Sequence, residues 1–150
     1  MEMEIKLEVM IKNTEAWALS YLNSTDYCFM CLGFVEDALE RSNNVEIFGG
    51  DTAKESAELY KDSITSGIPQ KGSFVFYNCT GVINGITKNW GHVGFAMGEG
   101  MVIHAWDKVR IDNYLHIESL STAAGWEKPQ YIGWVSLERI LSGYHEKQYY

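Results

Sequence analysis

The class this sequence predicts is α+β, with helices first and a largely antiparallel sheet after them. Three observations carry that expectation. Apolar residues recur at helical spacing up to about residue 64; short aromatic and β-branched runs take over from residue 73; and helix and strand patterns do not alternate as they would around a parallel sheet. With 150 residues, 46% of them hydrophobic, the chain has material for one substantial core, and residues 1–150 read as a single domain.

The first element covers residues 5–22, where Leu7, Met10, Ile11, Thr14, Trp17, Ala18, Tyr21 and Leu22 fall on one helical face. "NSTD" (23–26) breaks it with turn and cap formers. From Cys31 the positions Cys31, Phe34, Val35, Ala38 and Leu39 run i, i+3, i+4, i+7, i+8, which predicts a second helix ending near "RSNN". "GGD" punctuates the chain at 49–51, and "TAKESAELYKDSI" reads as a third helix with a looser stripe of Ala53, Ala57, Leu59, Tyr60 and Ile64. After "SGIPQKG" come the strands: "SFVFY" (73–77), a hairpin of "HVGFAMG" and "MVIHAW" around Glu99, "KVRIDNYL", and "YIGWV" (131–135), before a short helix, "SLERIL".

The hairpin places His92 and His104 relative to one another. A three-residue loop, Gly98-Glu99-Gly100, pairs Met97 with Met101, Phe95 with Ile103 and Val93 with Ala105, which makes one face wholly apolar. The other face then carries His92, Gly94 and Ala96 beside Val102, His104 and Trp106. The two imidazoles become diagonal neighbours, whose Cβ atoms lie roughly 7–8 Å apart, close enough for a ring-to-ring hydrogen bond.

Charge and composition exclude some classes. A net charge of −8 opposes nucleic acid and anionic membrane as partners. No apolar run approaches the ~18 residues of a membrane span. The acidic start "MEMEIKLEVM" lacks the pattern of a signal peptide, so the expected location is cytoplasmic as synthesised. Three cysteines without framework spacing fit free thiols in a reducing compartment.

Cys28 and Cys31, spaced C-x-x-C, admit three readings. A dithiol redox site needs a strand before its helix, and residues 5–22 read as helix instead. A zinc site would draw on Cys28, Cys31, Cys79, His92 and His104, but the second close pair of ligands is missing, and no metal is expected. Nucleophilic catalysis fits best. Cys31 opens a helix whose amides and dipole favour a thiolate and an oxyanion, and the two histidines supply a base and its orienter.

Four stretches in order, "CLGFVEDAL", "GIPQKGSFVFY", "GHVGFAMGEG" and "MVIHAW", resemble the NlpC-type (NlpC and p-sixty) peptidoglycan peptidases and the related CHAP amidases, over roughly residues 15–135. The resemblance implies a papain-like thiol hydrolase core with the N-terminal helices packed on the sheet. It also implies Cys31 as nucleophile, His92 as general base and His104 as orienting member, with Tyr27 near the oxyanion and Tyr21 in reserve. Asp107 and His116 are fallback orienters. Departures from the family strings are Met30-Cys31-Leu32-Gly33 and Gly72-Ser73, and the upstream Tyr-x-Gly-Gly segment is absent.

The expected activity is hydrolysis of an amide bond in a peptidoglycan stem peptide, or a related small peptide, with no cofactor. Delivery to the wall would use another route, such as phage lysis or a secretion system, with an immunity or inhibitor protein as partner if the protein is a toxin. The alternatives are a C-x-x-C dithiol oxidoreductase and a non-catalytic binding domain that keeps the fold.

Overall fold

A computed structural model describes residues 2–142 and 145–146. Helix α1 (Glu2–Leu19) stops three residues before the predicted end, because residues 20–23 turn tightly and Asn23 takes a left-handed φ of 71°. Tyr21 still packs with the helix, stacked on Trp17 at 4.3 Å. Helix α2 (Cys31–Asn43) ends on Asn44 in the left-handed region. Strand β1 (Val45–Glu46) follows, and then α3 (Ala53–Leu59), whose cap Thr52 accepts from the Glu55 amide. The predicted third helix is cut at Leu59, and a 3-10 turn at Lys61–Ser63 replaces its last part.

The remaining strands are β2 (Phe74–Asn78), β3 (Thr80–Ile83), β4 (Ile86–Asn89), β5 (His92–Gly98), β6 (Met101–Ala105), β7 (Val109–Asn113), β8 (Gln130–Val135) and β9 (His145–Glu146), with α4 (Leu137–Leu141) between the last two. Five of them form an antiparallel sheet in the order β7-β6-β5-β2-β8, while β1 pairs with β9. The architecture is α+β with a mostly antiparallel sheet, as expected of a papain-like core.

Strand alternation sorts the sheet into two faces. Phe74, Phe76, Val93, Phe95, Ile103 and Val135 point to one side, where Phe34, Val35, Ala38 and Leu39 of α2 cover them. Val75, Tyr77, Ala96 and Val102 point to the other, packed with Ile117 and Leu120.

Two features differ from the sequence expectation. The β3–β4 hairpin was not anticipated, although Asn84-Gly85 between Ile83 and Ile86 is a strong two-residue turn signal, and both turn residues take positive φ (51° and 77°). In the β5–β6 hairpin, Phe95 does face Ile103, but Gly98 rather than Met97 faces Met101. A bulge between Ala96 and Gly98 absorbs the extra residue, leaving the two-residue turn Glu99-Gly100. The irregularity lies towards the turn, so the polar face at the far end is kept.

Candidate active site

Cys31 is the first residue of α2, and two tight turns deliver it there: the Cys28 amide donates to Thr25 and the Met30 amide to Tyr27. The preceding segment is tied to the sheet edge, since the Asn23 amide donates to Val109 and the Val109 amide to Ser24. Within the second turn Phe29 takes a left-handed φ of 61°, a strained conformation for an aromatic residue, and the residue stands 66% exposed. No described side chain caps α2. Its first amides therefore remain available to a negative charge at the sulfur or next to it.

Cys31 is half-buried. Burial pushes the thiol up to about 11, while the backbone amides of Val93, Leu32 and Cys31 itself pull the other way. Burial thus works against the thiolate that the helix start favours.

The histidines enter from the sheet. His92 opens β5, and Gly91 before it takes a φ of 75° where a Cβ would meet the Lys54 backbone nitrogen at 2.5 Å, so only glycine lets α3 approach this closely. The ring of His92 lies between Tyr77 and Trp106, at centroid distances of 5.8 and 5.1 Å. His92 Nε2 and His104 Nδ1 are 2.8 Å apart, and His104 Nε2 lies 2.8 Å from Asp112 Oδ2. Gly94 sits between the histidines on the same face, where a Cβ would run into Val102 and come within 3.0 Å of the His104 Cβ.

Burial lowers both imidazoles. His92 is driven well below the ordinary histidine value, by desolvation first and then by His104; His104 is lowered by desolvation, which the Asp112 carboxylate opposes. Asp112 behaves in the opposite sense. Burial raises it, but hydrogen bonds from His104 and Arg110 outweigh that and hold it at about 2. Arg110 donates through Nε to Oδ2 at 2.8 Å and through its second terminal nitrogen to Oδ1 at 3.3 Å.

Cys31 and His92 line one cavity of about 870 Å³, together with Trp90, Trp106 and Trp126. Three acidic side chains, Glu36, Asp51 and Asp107, also line it, and among the described residues no lysine or arginine does. A thiol, an imidazole with one engaged nitrogen, and uncapped amides on one cavity wall are the parts required for attack on a carbonyl.

Other residues named from the sequence lie elsewhere or do other things. Tyr27 is not brought to this group: its hydroxyl donates to Asp37 at 2.7 Å, and its ring packs with Trp17, Tyr21 and Phe34. Asp107 lines the cavity but accepts from Arg110 rather than from a histidine. His116 begins a 3-10 turn (His116–Ser119) after β7. Cys28 also lines the cavity, its thiol donating to the Asp107 carbonyl at 3.0 Å. Cys79 is buried, its thiol pushed up to about 12 by burial first and then by Cys31.

Sequence reasoning missed Asp112 and Arg110. The signal was present: carrying the two-residue alternation from the β5–β6 hairpin into "KVRIDNYL" puts Arg110 opposite His104 and Asp112 one step along on the same face.

The model of the NlpC/P60 family matches residues 19–131, a segment that holds Cys31, His92, His104 and Asp112. No curated protein matches the chain.

Proposed function

The chain belongs to the NlpC/P60 family, whose members are typically cysteine peptidases directed at the cell wall, and from that premise we propose that it cleaves an amide bond in a peptidoglycan stem peptide or a related small peptide. Cys31 is the nucleophile, His92 the general base and acid, and His104 the member that orients His92. Residues 1–150 act as one hydrolase domain.

The observation that carries this reading is the shared cavity: Cys31 at an uncapped helix start faces the same space as His92, whose other nitrogen is held 2.8 Å from His104. His92 Nε2 is engaged, so the nitrogen left to exchange a proton with the thiol is Nδ1. As the sulfur attacks the carbonyl carbon, the thiol proton passes to Nδ1, and the carbonyl oxygen gains a negative charge that amides at the start of α2 stabilise. The imidazolium then gives its proton to the leaving amine, and a thioester remains. Water attacks the thioester, His92 takes the water's proton, and the acid departs as the thiol is restored. These steps use no cofactor.

Burial shapes the resting state. Burial raises the thiol and lowers the imidazole, so it disfavours a standing charge pair, and in this mechanism charge separates as the substrate carbonyl accepts the sulfur. No observation favours the dithiol alternative. The element before α2 is α1, and the Cys28 thiol is committed to the Asp107 carbonyl.

No helix among the described residues is long and apolar enough to cross a membrane. We read the place of action as the wall, reached by delivery, with an immunity protein as a partner if the protein serves as a toxin.

The deciding experiment digests purified peptidoglycan and reads the products by mass. Cys31→Ser is expected to abolish product formation, by at least ~10⁴-fold, and Cys28→Ser to keep most of it. Equal loss in both variants, or no new amine-bearing product with the wild-type protein, would overturn the reading.

A further inference from the structure

We propose that Asp112, clamped by Arg110, is a positioning residue that sets the proton arrangement of His92 through His104, so that the chain works as a four-membered array of Cys31, His92, His104 and Asp112. This rests on the reading of Cys31 and His92 as nucleophile and base.

The argument follows the protons. Both oxygens of Asp112 receive hydrogen bonds from Arg110, and Oδ2 also faces His104 Nε2 at 2.8 Å. An ionised carboxylate only accepts, so His104 Nε2 must carry hydrogen. A neutral imidazole has one N–H, so His104 Nδ1 is then a bare acceptor. The 2.8 Å contact between that Nδ1 and His92 Nε2 is a hydrogen bond only if His92 Nε2 is the donor. His92, also neutral, is left with a bare Nδ1, the only form that can take the thiol proton. A single negative charge on β7 thus determines which nitrogen of a ring two strands away is basic.

Reversing one proton shows why the charge is needed. If His104 carried its hydrogen on Nδ1, it would donate to His92 Nε2, and His92 would place its own hydrogen on Nδ1, against the thiol. The base would be blocked with every heavy atom in place. When His92 becomes an imidazolium, the same row stabilises it, because its Nε2–H points along a path that ends on a carboxylate.

Sheet register supplies the geometry. His104 faces Arg110 and Val102 faces Asp112 across β6 and β7, so His104 and Asp112 are diagonal neighbours on one face. His104 and Asp112 are 0% and 7% exposed, so little water competes for these bonds. Arg110 is itself held by Asp107 at 3.2 Å, which fixes the clamp from the far side.

Asp112→Asn keeps the shape and removes the charge. Its amide oxygen, shared with Arg110 Nε, is a weaker acceptor without the charge, so the bias towards hydrogen on His104 Nε2 is reduced. Nitrogen-15 NMR of histidine-labelled protein reads the tautomers directly. The wild type is expected to show Nε2–H at both His92 and His104. Asp112→Asn is expected to show a mixture with Nδ1–H at His92 and to digest purified peptidoglycan roughly 10–10³-fold more slowly, while its NMR dispersion stays that of a folded protein. Arg110→Gln, which leaves the carboxylate in place, is expected to cause a smaller shift of both readouts in the same direction, and it carries the test if Asp112→Asn does not fold. Wild-type tautomers retained in Asp112→Asn, or in Arg110→Gln where that variant alone folds, would overturn the proposal. So would undiminished turnover in the variant tested. The tautomer measurement needs no substrate, so failure of the wild-type protein to digest peptidoglycan would count against the cleavage reading alone.

Discussion

His92, His104 and Asp112 stand on three consecutive antiparallel strands at 3%, 0% and 7% exposure, whereas Cys31 follows Phe29 and Met30, which are 66% and 53% exposed. On the sheet side, ladder register places each group and hydrogen bonds of 2.8 Å join them in a row. On the helix side, two turns and a strained Phe29 deliver the cysteine, and no described side chain caps the helix that bears it. The difference follows from what each half must do. On the proposed reading a base needs a fixed tautomer, which a rigid sheet can impose, while the nucleophile and the amides at the helix start must stay within a substrate's reach, clear of any side-chain cap.

The largest effects should come from breaking the sheet row at its working end. His92→Gln is expected to lower kcat/KM on purified peptidoglycan fragments by roughly 10²–10⁴-fold with little change in Tm. If the variant retained near-normal turnover, the base would have to be sought elsewhere on the cavity wall. Gly94→Ala tests the row in a different way, because the new Cβ would press on Val102 and on the His104 Cβ. Overpacking of this kind costs about 1–3 kcal/mol, and activity should fall more than stability alone explains, since His104 is displaced from His92. Thermal unfolding and turnover measured on one preparation separate the two effects.

How much of this was legible in the sequence divides along the same line. Helix α2 and the hairpin were readable because their apolar periods are strong, and the face shared by His92 and His104 follows from strict two-residue alternation. The bulge at Met97 was not readable: it comes from a choice between turn geometries that Gly98-Glu99-Gly100 permits equally. Asp112 lies within reach of the same alternation, but its place beside His104 depends on the β6–β7 register, which strand character alone does not supply. Tyr27 shows the opposite limit. Its nearness to Cys31 in sequence says nothing of direction, and tertiary packing turns it toward Asp37 and the rings of Trp17, Tyr21 and Phe34.

The resting charge of Cys31 sharpens the comparison further. Burial pushes the thiol up to about 11 and holds His92 low, so alkylation by iodoacetamide should be slow at pH 6 and climb with pH towards that range. Turnover should behave differently. His92 stays neutral below the ordinary histidine range, so the acid limb of kcat/KM is expected below pH ~6.5. Fast alkylation on a plateau near pH 6 would instead mean a standing thiolate–imidazolium pair.

The smallest predicted effect concerns two carboxyls, one on each side, shifted in opposite directions. Asp112 is held at about 2 by His104 and Arg110 against the cost of burial. Its stabilising contribution is therefore present at neutral pH and lost as pH falls from about 4 through about 2. Glu36 on α2, which lines the cavity, is pushed up to about 7 by burial first and then by Glu40, Asp37 and Asp51. Its folded value lies above its unfolded one, so the native state is favoured while Glu36 is protonated, and that advantage disappears as pH rises through about 7. Glu36→Gln should accordingly raise Tm at pH 8, by about 2–4 °C for each kcal/mol relieved, and change it little at pH 4. Asp112→Asn should lower Tm at pH 8 and approach the wild type at the acid end. If Glu36→Gln instead lowered Tm at pH 8, the carboxylate would be making a favourable contact across the cavity. The helix wall would then be as firmly built as the sheet, and the contrast between them would fail.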